Sequence, residues 1–177
     1  MLGDRSAPSY FDFSLRGLAG SAIAFLLATV VNAYLPALLG LGAEAGSVVR
    51  GLLMVALLLA LQIGFAAIVL RQLKRLDGLV PYLVADNWVT FFITLLSTGL
   101  MLAGVSGDVI IISIGILVIV VEINIARLIV TLAPLQIAML LIAQLVGVSI
   151  GLLFIGIIMP IPPELAAEAA AAAGLAQ

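Results

Sequence analysis

A chain of 177 residues with 65% hydrophobic and 9% charged side chains cannot cover a water-facing surface, because soluble domains carry about 25% charged residues. The net charge of −2 says little, since the placement of charges matters more than their sum in a membrane protein. The lack of cysteine and histidine excludes disulfides, iron–sulfur clusters and thiolate metal sites, and it removes the usual haem and zinc ligand; no cofactor is expected.

Residues 1–16 form an expected cytoplasmic segment mixing Asp4, Arg5, Asp12 and Arg16. The apolar stretch that follows is longer than a signal-peptide core, so it is expected to stay as the first helix. Five apolar segments follow, at 17–39, 48–70, 87–103, 109–127 and 136–159. The pattern predicts an all-α, polytopic transmembrane bundle of five spans over 17–159. A polar stretch at 71–86 divides the second span from the third, and Gly107 and Asp108 mark a tight turn before the fourth.

The cut between the last two spans follows from length. Residues 109–159 as one helix would make a rod of about 77 Å at 1.5 Å per residue. A hydrocarbon core is about 30 Å thick, so the chain must turn back. The stretch 127–134 has both a charge and a helix breaker, Arg127 and Pro134, and the turn is expected there. Beyond Pro160, Pro162 and Pro163, the tail at 160–177 is alanine-rich and predicts a short external helix.

Basic residues orient the spans. A cytoplasmic amino terminus puts Arg5, Arg16, Arg71, Lys74, Arg75 and Arg127 inside and only Arg50 outside. The carboxy terminus is then external.

Small residues recur every four positions. The first span has Gly20, Ala24, Ala28, Asn32 and Pro36, and the second has Ala56, Ala60 and Gly64. The third has Thr90, Thr94 and Thr98, and the fifth has Ala143, Gly147 and Gly151. This spacing sets side chains on one helix face, where they admit close packing inside the bundle or across a dimer seam.

Glu122 is read as the one acidic group well inside an apolar run. Such a charge costs roughly 2.5–3.5 kcal/mol on insertion scales, so it needs a partner or a purpose. It is either a protonated or locally paired group that fixes the bundle, or an ion- or proton-binding group with Asn124, Gln62 or Gln144 nearby. Arg127, five positions on, is off the favoured spacing for a direct helical pair.

Arg71, Lys74 and Arg75 form a basic loop that anchors topology or attracts anionic lipid. Trp88, Tyr10, Phe11 and Phe13 are expected at interface depth. Phosphate-binding loops, metal-ligand clusters, nucleophile elbows and catalytic triads are absent, and no basic face is offered to nucleic acid.

Three segments resemble a group of small bacterial multi-pass proteins of unassigned function. They are Phe11-Asp12-Phe13-Ser14-Leu15-Arg16-Gly17, Val84-Ala85-Asp86-Asn87-Trp88 and Ile125-Ala126-Arg127. The layout also resembles the Yip family: five spans, a cytoplasmic amino terminus and almost no loops. That likeness implies membrane organisation or trafficking through partner binding, without catalysis. The expectation is a non-enzymatic scaffold, assembly factor or accessory subunit of the bacterial inner membrane. Its partners are lipids, other membrane subunits or a second copy. The alternative is a small transporter or channel working through Glu122.

Overall fold

The computed structural model describes residues 6–38 and 47–158. The expected tail at 160–177 and the outer ends of the first and last spans lie outside them. Five helices carry the fold: α1 (Leu15–Leu38), α2 (Ser47–Gln72), α3 (Leu79–Leu102), α4 (Gly107–Asn124) and α5 (Pro134–Ile158). Short 3-10 turns, Ala7–Tyr10 and Leu76–Gly78, precede α1 and α3, and a π turn, Ile125–Ile129, continues α4. No strand occurs among the described residues. Each span holds 21–27 residues and is long and apolar enough to cross a bilayer, which takes about 20. The chain is a multi-pass transmembrane helix bundle.

The local chemistry explains where helices start. Ser14 caps α1, its Oγ accepting the Gly17 N–H at 3.2 Å. Asp12 Oδ1 accepts the Ser14 N–H at 3.0 Å, and that hydrogen bond holds its carboxyl below the usual carboxylate range. A side chain at Gly17 would strike the Asp12 carbonyl, while Phe11 and Phe13 stack at 6.0 Å. The Phe11–Gly17 segment is therefore a helix-start device. Pro134 opens α5, and Gln136 reaches back to accept the Ala133 N–H at 2.9 Å. The chain thus reverses within the expected 127–134 stretch.

One boundary differs. The third helix begins at Leu79, not at residue 87, so half of the expected polar loop is helix. Pro81 stands in the first turn of α3, where no intrahelical N–H is needed and proline costs little. Trp88 therefore lies nine positions, about 14 Å, beyond Leu79, deeper than the loop exit expected for it. It packs against Phe91 at 5.9 Å and Phe92 at 6.2 Å.

The helices pair as α1 with α3 and α2 with α5, and α4 rests on α3. Gly147 faces Phe65 and Gly151 faces Leu58. Numbers rise along one helix as they fall along the other, so α2 and α5 are antiparallel. A Cβ at Gly147 would meet Phe65 at 2.9 Å, and one at Gly151 would meet Leu58 at 2.6 Å. Large residues of α2 fill notches in α5, and Ala143 lies beside them against the core. The α2 stripe fails for the same reason. Leu58, Leu61 and Phe65 take the contact face, so Ala56 and Ala60 point outward and Gly64 meets open space. On α1, Ala24 and Ala28 are buried, whereas Gly20 is exposed.

The buried apolar cluster sits at one end of the bundle. It joins Ala66, Val69 and Leu70 of α2, Tyr82 and Ala85 of α3, and Ile137 and Leu140 of α5 to residues around the π turn. Outward faces carry large apolar side chains such as Ile111, Ile116 and Ile119, as lipid contact demands. Because α5 supplies the notches, Gly151→Leu should destabilise the bundle by about 1–3 kcal/mol through overpacking. Gly64→Leu should leave stability unchanged or raised. Thermal unfolding of both variants in detergent micelles checks this, and equal losses would refute the notch assignment.

Candidate functional site

Tyr82 and Asp86 are four residues apart on α3, which puts them on one face. Glu122 lies in the last turn of α4, and Gln144 lies in the first half of α5. The Tyr82 hydroxyl donates to Glu122 Oε2 at 3.0 Å, and Gln144 Nε2 donates to the Tyr82 hydroxyl. The Asp86 carboxyl lies beside Glu122, and the two line one cavity. Tyr82, Glu122 and Gln144 are buried; Asp86 is half-buried.

Asp86 corrects the reading of Glu122 as the one deep acid. Asp86 belongs to the polar stretch 71–86 by composition, but α3 begins at Leu79 and carries it into the bundle. The signal was present, since the polar row Thr90, Thr94 and Thr98 extends backward at the same spacing through Asp86 to Tyr82. Beside the pair, Asn87 Nδ2 donates to Ser21 Oγ at 3.1 Å, tying α1 to α3.

The row on α3 faces open space. A cavity of about 200 Å³ is lined by Asp86, Glu122, Gln62, Thr90 and Phe25. Phe25 and Thr90 also line the next cavity, of about 360 Å³, together with Thr29, Asn32 and Thr94. Asn32 is shared again with a third, of about 330 Å³, that reaches Ser97, Thr98 and Gly107. The three follow one another from the carboxyl pair to the α3–α4 turn.

Of the residues singled out in the sequence, Glu122, Gln144 and Gln62 meet at this site. Asn124 does not. Its Nδ2 donates to the Val120 carbonyl at 2.8 Å, and its Oδ1 is buried without a partner beside a separate cavity of about 170 Å³ lined by Ala7, Phe11 and Ile125. Arg127 is exposed on the π turn. In the basic loop, Arg71 and Lys74 are exposed, whereas Arg75 is half-buried and bonded across the chain to Val130 and Thr131.

No family model, curated protein or solved structure matches this chain, so chemistry alone guides the reading. Among the described residues no three His, Cys, Asp or Glu gather as a metal-ligand group. Two neighbouring carboxyl groups, with a tyrosine and an amide fixing one of them, offer acceptor oxygens that suit a proton or a small cation.

Tyr82→Phe removes the hydroxyl between Gln144 and Glu122 and leaves both short of a partner. It should lower stability by about 1–3 kcal/mol, whereas Tyr34→Phe, at an exposed position, should be neutral. Parallel melting curves of the purified variants would show the difference, and a neutral Tyr82→Phe would remove the hydroxyl from the network.

Proposed function

We propose that the chain is a small, non-enzymatic membrane transporter or channel in which the Asp86–Glu122 pair takes up and releases a proton or small cation. One observation carries the reading. The pair stands at the foot of a row of cavities lined by Thr90, Thr94, Asn32 and Ser97, while apolar side chains fill the bundle on its other side. A carboxyl pair that only fixed helices would be stable in a sealed core, whereas this pair opens on cavities whose largely apolar walls carry hydroxyls and amides at intervals. Acidic groups inside spans mark ion and proton pathways for the same energetic reason that they are rare.

The chain sits in this proposal with its amino terminus in the cytoplasm, in a bacterial inner membrane. Arg16, Arg71, Lys74, Arg75 and Arg127 all fall at one end of the bundle, as the positive-inside rule requires. The cavities then open toward the external face.

A scaffold or accessory subunit binding other membrane subunits, in the manner of the Yip-like layout, is the second reading. The outward placement of Ala56 and Ala60, with open space at Gly64, favours it, because such a stripe admits close approach of another helix.

Uptake into reconstituted vesicles driven by a pH or cation gradient separates the two. Glu122→Gln and Asp86→Asn keep shape and hydrogen-bonding capacity but cannot titrate. Both should fold and lose flux, whereas Glu122→Leu should also lose stability. Full gradient-driven flux in both amide variants would sink the transport reading, and no flux in the unaltered chain would favour the scaffold.

A further inference from the structure

The two ends of the bundle are built differently. Cavities reach the α3–α4 turn, but the opposite end is plugged by Ala66, Leu70, Ala85, Ala126 and Leu140, all fully buried. The segment 130–133 lies over this plug between the π turn and α5. Arg75 ties it down. Its Nη2 donates to the Val130 carbonyl at 2.5 Å and to Thr131 Oγ1 at 2.7 Å, and Nη1 donates to the Thr131 carbonyl at 3.3 Å.

The backbone on both sides of this tie is strained. Lys74 has φ of 56° and Thr131 φ of 58°, left-handed values that non-glycine residues keep only when their surroundings hold them there. Val130 also presses on Gly78, where a Cβ would stand 2.5 Å from its methyl. The π turn connects this segment directly to the end of α4 that carries Glu122. Such turns recur where helices must deform.

We infer that Arg75 is the latch of a gate at this end. Its fork holds Val130 and Thr131 over the apolar plug. Releasing it lets the left-handed residues relax and the π turn move outward with the end of α4, opening the Asp86–Glu122 pair to the Arg75 side. The inference rests on the transport reading, because a pair that serves both faces in turn needs a closure on each.

The chain contains no cysteine, so one introduced thiol is a unique reporter. Val69→Cys places it in the plug, where Val69 is buried, and a membrane-impermeant maleimide is applied from the Arg75 side. Labelling should be slow in the otherwise unchanged chain. With Arg75→Gln it should rise about ten- to a hundredfold, the population change set by losing hydrogen bonds to a charged group. Arg75→Lys, which keeps the charge but not the fork, should fall between them, and it decides the matter if Arg75→Gln fails to fold. Unchanged labelling overturns the latch. So does an equal rise at Ala28→Cys, buried far away between α1 and α3, which would mean that Arg75 merely keeps the bundle folded. Labelling needs no substrate. A faster Val69→Cys thiol with no flux in the unaltered chain keeps the latch and sinks transport, and flux with unchanged labelling does the reverse.

Discussion

The hydrogen bond from Tyr82 to Glu122, extended by Gln144 and with Asp86 beside it in the same cavity lining, joins α3, α4 and α5 at one depth. Hydrocarbon gives helices little hydrophobic reason to choose one neighbour over another, since lipid tails are as apolar as leucine. Polar groups that would otherwise be stranded supply that choice, because an unmet buried donor or acceptor costs about 1–3 kcal/mol. The end of α4 is positioned by this network and by the π turn below it. Above Glu122, α4 meets only α3 closely, and the cavities open alongside it.

A second kind of contact holds the remaining pairs. Between α2 and α5, Leu58 and Phe65 enter the notches at Gly151 and Gly147. Between α1 and α3, Ala24 and Ala28 allow close approach and the Asn87–Ser21 bond fixes register. These contacts are dispersive and depend on shape, so they tolerate no added atoms but carry no chemistry. The chemistry gathers along the strip of α3 from Tyr82 through Asp86 to Thr98 and at the Glu122 and Gln144 side chains that meet it. The bundle is thus closely packed at the plugged end and bordered by cavities along α4.

Several features of this arrangement were legible in the residues. Composition and run length set five spans, because hydrocarbon thickness leaves few other solutions for so apolar a chain. The need for a reversal followed from length, and its place from the charge at Arg127 and the helix breaker at Pro134. Glu122, Gln144 and Gln62 stood out because polar groups are costly there. The start of α3 was not legible, because a proline and an aspartate within eight residues read as a loop unless the proline stands in a first helical turn, and Asp86 is hidden with it.

What the sequence determined by itself is everything set by local chemistry and by the bilayer: the number of spans, the caps at Ser14 and Pro134, and the rarity of deep polar groups. Which faces meet was decided only by the tertiary structure. Spacing of four marks a face but does not say what covers it, so Ala143–Gly147–Gly151 found Leu58 and Phe65 while Ala56–Ala60–Gly64 was left outward. The pairing of Asp86 with Glu122, 36 positions apart in the chain, depends on how α3 and α4 rotate against each other. So does the reach of Arg75 to Thr131. No periodicity within one helix encodes these contacts, because they are settled by the summed packing of all five.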